Sequence, residues 1–218
     1  MDNKKAYIKK RQVTLIGVVV NILLSIIKYV IGVLSGSSAL IADATHSVSD
    51  YITDMAVLVG LKLSSKPADE NHPYGHGKFE TFASLGVGVL LFGAAAFLIY
   101  SGITTLKALF EGQSFVKPTY YWALVAAGVS IAFKEWLYRY TIYYGKKLNS
   151  SSLIANAYHH RSDSYSSIGV MVGIVCVLIS PQLAFMDPLS GIIVALLIAH
   201  MAWKISVPAF HELLDRVP

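Results

Sequence analysis

Six apolar stretches, at about 13–34, 39–63, 79–106, 120–143, 153–179 and 188–207, divide the chain almost from end to end. At 1.5 Å of rise per residue, each is long enough to cross a hydrocarbon layer roughly 30 Å thick. Lipid offers no partner to a backbone N–H or C=O, so segments of this kind must satisfy those groups internally, as helices. The expected fold is all-α: a polytopic membrane protein with six transmembrane helices over 13–208, an N-terminal segment 1–12 and a short segment 209–218 that opens a linker. Composition agrees, because 55% of the 218 residues are hydrophobic and only 14% are charged, outside the habit of a soluble domain.

An even number of crossings puts both termini on one side, and basic residues say which. Lys4, Lys5, Lys9, Lys10, Arg11, Lys62, Lys66, Lys78, Lys134, Arg139, Lys146, Lys147, Lys204 and Arg216 all read onto one face, against Lys107 and Lys117 on the other. Positive residues stay inside, so both termini are expected in the cytoplasm, with the protein in the cell's inner or plasma membrane. The net charge of +5 is spent on this asymmetry, and nucleic acid is not an expected partner. The first apolar run is too long for a signal-peptide core and reads as a retained helix. A lone Cys176 excludes an internal disulfide and a cysteine-built metal cluster.

The second stretch, SSALIADATHSVSDYITDMAVLVGLKLS, carries charge in its middle, which hydrocarbon tolerates only for a reason. His46 and Asp50 are four residues apart and share a helix face, with Asp43 and Asp54 on the same stripe. His159 and Asp163 repeat the His-x-x-x-Asp spacing in the fifth stretch. Facing each other, the two helices would offer two imidazoles and two carboxylates, the ligand count of a closed tetrahedral site. Two carboxylates would neutralise a divalent ion, leaving the loaded site formally uncharged. Nitrogen plus oxygen in a four-ligand set suits zinc, with cadmium, cobalt and iron(II) close behind. Asp43 and Asp54 leave open an expanded oxygen shell for manganese or iron, or an entry and exit relay. An imidazole must lose its proton to bind a metal, so proton-coupled antiport with His46 and His159 as exchangers is the expected energy source.

Other polar residues read more plainly. Lys28 is expected to snorkel or to pair with a carboxylate, since an ammonium has no lone pair for a metal. His160 points about 100° away from His159, and His200 and His211 have no partner at ligand spacing; none is taken as a ligand. Asp187-Pro188 reads as a helix start whose carboxylate caps free backbone amides. In the loop PADENHPYGHGKFE, Asp69, His72 and His76 form a second His/Asp cluster on an irregular Pro- and Gly-rich backbone.

The motifs SSALIADATHSVSD, PADENHPYGHGKFE, HHRSD and HELLDRVP, in this order, resemble the cation diffusion facilitator family of divalent-metal exporters. The resemblance implies a transport site of His46, Asp50, His159 and Asp163 that favours Zn2+, and a weaker loop site on Asp69, His72 and His76. It also implies a homodimer, with a Lys78–Asp215 charge pair near the cytoplasmic surface, and a cytoplasmic metal-binding domain that would follow Pro218. The chain is thus expected to be a proton-coupled antiporter exporting divalent metal cations, not an enzyme. The alternatives are a manganese or iron(II) exporter of the same family and a passive divalent-cation channel. A membrane metalloenzyme is disfavoured because neither HExxH nor the Glu-x-x-His pairs of di-iron bundles occur.

Overall fold

A computed structural model describes residues 3–64, 69, 71, 73, 76, 78–113, 119–148 and 150–214. They form six long helices: α1 (Asn3–Ser35), α2 (Ser38–Ser64), α3 (Lys78–Phe110), α4 (Tyr121–Lys147), α5 (Ser151–Ile179) and α6 (Met186–Leu213). A short 3-10 turn, Pro181–Leu183, precedes α6. The protein is an all-α polytopic membrane protein. Four segments, Ile8–Ser35, Thr81–Phe110, Asn156–Ile179 and Pro181–Leu213, are long and apolar enough to span a membrane on composition alone. The other two helices carry charge along their length, Asp43 and Asp50 in α2, and Lys134, Glu135 and Arg139 in α4.

The bundle is apolar outside and polar within, as lipid requires. Val89, Leu90, Phe97 and Tyr100 on α3 and Ile193, Leu196 and Trp203 on α6 are exposed, whereas Lys28, Asp43, Lys134, Asp163 and Asp187 are buried. Helix α3 packs along α6, and α4 along α5, while α2 lies between these pairs and touches α1, α3, α5 and α6. Close approaches depend on glycine. A Cβ on Gly191 would sit 3.0 Å from the Ser38 carbonyl oxygen, and one on Gly145 would sit 2.9 Å from the Ile154 side chain.

Helix α1 turns into α2 within two residues. Gly36 has φ +80°, a conformation cheap only for glycine, and its N–H donates to the Gly32 carbonyl at 2.8 Å. The cap expected of Asp187 is real, but it serves another helix. Asp187 lies inside the first turn of α6, whose N-cap, Phe185, has no side-chain bond. Its carboxylate reaches across to accept from the backbone N–H of Ser38 at 2.7 Å and of Ala39 at 3.3 Å, the free amides at the start of α2. Ser37 Oγ and Tyr120 OH complete it, donating at 2.5 and 2.8 Å. One buried carboxylate therefore ties α6 to α2 and to the start of α4.

Candidate metal site

Helix periodicity places the site. Asp50 is fourteen residues before the end of α2, Lys134 thirteen before the end of α4 and Asp163 twelve after the start of α5. At 1.5 Å per residue all three lie about 20 Å from the same end of the bundle, near mid-membrane. There His46, Asp50 and Asp163 each offer a ligand atom, all within 4.8 Å of one another. His159 flanks them: its Nε2 is 3.9 Å from Asp50 Oδ2, and its Nδ1 is 3.9 Å from Asp163 Oδ1. Of the four residues singled out by spacing, His46, Asp50 and Asp163 meet, and His159 stands half-exposed at their rim.

Two buried atoms of this group, His46 Nδ1 and Asp50 Oδ2, have no hydrogen-bond partner among the described residues. A buried acceptor without a donor is costly, and a cation at the centre would relieve both. The arrangement can therefore hold a divalent ion through two nitrogens and two carboxylates, the donor set of a zinc-like site.

A cavity of about 840 Å³ leads to this point. It is walled by α1 (Thr14, Asn21, Ile26), the middle of α2 (Ser47, Met55) and the first half of α5 (Leu153, His159). His160 is also in its wall, buried, with Nδ1 3.4 Å from the Asn21 amide and Nε2 turned towards Gly17.

The structure corrects the place of Lys134. Position along the chain groups it with the basic residues of one membrane face, but it is buried in mid-span with its Nζ 3.0 Å from Asp163 Oδ2. The positive-inside argument rests on the remaining cations. Helix register carried the signal: Ser130, Lys134, Leu137 and Thr141 form the buried stripe of α4, while Trp136, Arg139 and Tyr143 face outward. The finding also corrects the charge balance, because a loaded site with Lys134 beside it is not neutral.

Asp43 has a different partner from the metal. Lys28 Nζ donates to Asp43 Oδ2 at 3.0 Å, to the Asp43 carbonyl at 3.3 Å and to Ser47 Oγ at 2.9 Å. Ser167 Oγ approaches both Asp43 oxygens, at 3.1 and 2.9 Å. Lys28 is thus carboxylate-paired, and Asp43 is held one turn from the ligands. In the loop, His76 Nε2 lies 3.4 Å from Asp69 Oδ2, and Asp69 Oδ1 also accepts from the Asn71 N–H. His72, Lys66, Lys117, Asp215, Arg216 and the side chains of Lys4, Lys5, Arg11, Asp54 and Lys62 lie outside the described residues.

A lipid-facing helical bundle that buries imidazoles and carboxylates at mid-membrane has the build of a membrane cation transporter. Comparison with known proteins makes this specific. The cation efflux transmembrane domain family matches residues 14–214, nearly the whole chain. An uncharacterised transporter of Methanocaldococcus jannaschii is 40% identical over 212 residues, 94% of this chain and 70% of its own length. The magnetosome protein MamB of a Magnetospira strain is 38% identical over 86% of this chain and 62% of its own length. The manganese efflux system protein MneP of Bacillus subtilis is 34% identical over 94% and 69%. The chain therefore spans only about two thirds of the length of these relatives. It belongs to the cation efflux family, whose members are integral membrane transporters of divalent metal cations, and not to a family of enzymes.

Proposed function

We propose that the chain binds a divalent transition-metal cation through His46, Asp50, His159 and Asp163 and exports it from the cytoplasm in exchange for protons. The observation that carries this reading is the convergence of His46, Asp50 and Asp163 within 4.8 Å of one another, with buried His46 Nδ1 and Asp50 Oδ2 lacking a hydrogen-bond partner among the described residues. Zinc suits two nitrogens and two carboxylates best, and neutral imidazoles tie binding to proton release. The end of the bundle richer in lysine and arginine would face the cytoplasm, with both termini on that side. Asp69, His76 and His72 would form a second, regulatory metal site, and the protein would work as a homodimer.

Manganese is the second reading, favoured by relatives named for manganese efflux, MneP and MneS, the latter 36% identical over 92% of this chain. Titrating the purified protein with zinc and manganese separates the two, comparing wild type with Asp50→Ala and His159→Ala. The reading expects each substitution to weaken zinc binding at least about tenfold and to abolish pH-driven uptake into everted vesicles. Unchanged zinc binding in both variants would falsify it, and uptake indifferent to a pH gradient removes the antiport step.

A further inference from the structure

We infer that Lys134 is a tethered competitor of the transported metal: its ammonium shares Asp163 with the ion, weakens the loaded state and speeds release. The inference rests on the site proposed above and goes beyond it by giving a role to a cation outside the ligand set.

Three observations carry it. The Asp163 carboxylate is divided, with Oδ2 on Lys134 Nζ at 3.0 Å and Oδ1 on the side of His159 at 3.9 Å. The two side chains are only 3% and 8% exposed, so little water screens the ammonium from an ion on the same carboxylate. Finally, the ammonium has somewhere to go. Ser47 Oγ is already 3.4 Å from Nζ, and Ser130 Oγ, one helical turn back on the same buried face, has no hydrogen-bond partner among the described residues.

Charge counting gives the direction of the effect. Lys28 and Asp43 cancel as a pair, so Asp50, Asp163 and Lys134 leave the empty site with one net negative charge when the imidazoles are neutral. A divalent ion turns this into one net positive charge. Without Lys134 the same ion would be held by two carboxylates in a neutral site, which is a tighter arrangement but a poorer one for letting go. A carrier needs the ion to leave, and a lysine that refills the vacated carboxylate oxygen keeps Asp163 paired while the site is empty.

The test uses the purified full chain with Zn2+ as probe, comparing wild type, Lys134→Met, Lys134→Arg and Asp50→Ala. Lys134→Met is expected to bind zinc about tenfold or more tightly, as removal of a neighbouring like charge requires. In vesicles it lowers KM and kcat together, because release slows. Its thermal stability falls without zinc and recovers with zinc, whereas a merely structural lysine would lower both alike. Lys134→Arg, which keeps the charge, stays near wild-type affinity. If Lys134→Met folds only with zinc present, the zinc-loaded protein still reports, since zinc loss to an excess of chelator should be about tenfold slower than in wild type. Unchanged or weaker zinc binding, unchanged or faster release, or equal destabilisation with and without zinc would each overturn the inference while leaving the metal site standing. Asp50→Ala separates the two levels: undiminished zinc binding there removes the site itself, and the inference with it.

Discussion

Replacing Lys28 by Met tests whether the buried charges outside the ligand set hold the bundle together. Lys28 is fully buried, and its three N–H groups are spoken for by Asp43 Oδ2, the Asp43 carbonyl and Ser47 Oγ. The Met variant keeps the apolar stem and strands the Asp43 carboxylate, which is itself 1% exposed and left with only the Ser167 hydroxyl. Breaking a buried ion pair from one side costs about 3–5 kcal/mol, because the surviving charge loses its counter-ion without regaining water. Asp43→Asn should cost a similar amount by stranding Lys28. The double variant Lys28→Met with Asp43→Asn carries no stranded charge and keeps an acceptor for Ser167. Its loss should be well below the sum of the singles, with a coupling energy of at least about 2 kcal/mol. Equilibrium unfolding in mixed micelles, followed by the fluorescence of Trp122, Trp136 and Trp203, measures all three. Strict additivity would refute the reasoning, since independent losses mean that the two groups do not stabilise each other.

Asp187→Ala removes the acceptor for Ser37, Tyr120 and two backbone amides of α2, and should lower unfolding stability by about 3 kcal/mol or more; Asp187→Asn, which keeps one acceptor oxygen, should lose less, and equal stability of all three forms would show that the cap is idle. Gly191→Ala places a methyl 3.0 Å from the Ser38 carbonyl oxygen, and backbone cannot yield as a side chain can, so a loss of about 1–3 kcal/mol is expected in the same assay. Zinc affinity should rise with pH, because a ligating imidazole must be unprotonated to bind the metal. Titration calorimetry at stepped pH checks the direction, and affinity indifferent to pH would remove His46 and His159 from the ligand set.

What the sequence could reveal followed the range of each signal. The six spans were legible because hydropathy is summed over twenty residues and tolerates local exceptions. The His46, Asp50, His159, Asp163 set was legible because two residues four apart must share a helix face, so the spacing alone fixes half of the geometry. Lys134 was not, for the opposite reason: it sits beside Glu135 and near Arg139, Lys146 and Lys147, and a count of cations along the chain does not ask which way each one points. Reading α4 by its 3.6-residue register would have separated Lys134 from its outward neighbours. Asp187 shows a different limit. Asp-Pro at a helix start looks like a cap for its own helix, and only the tertiary fold reveals that the orphan amides within reach belong to α2, some 150 positions earlier in the chain.

The two ends of α2 are thereby treated differently. Its first turn is locked to α6 and to Tyr120 through Asp187, whereas its middle, from Ser47 to Met55, borders the cavity. Helix α5 in turn is fixed to α4 by the close approach at Gly145 and by the Lys134–Asp163 pair. The fold therefore contains one unit of α2, α3 and α6 and another of α4 and α5, which meet where α5 packs against α6 and, over a shorter stretch, where α5 meets α2. The candidate ligands are divided between them, His46 and Asp50 on one and His159 and Asp163 on the other. An ion bound by all four would crosslink α2 to α5, two helices that touch each other only briefly. Its arrival and departure can change their relative position, while a site built within either unit would have no such leverage.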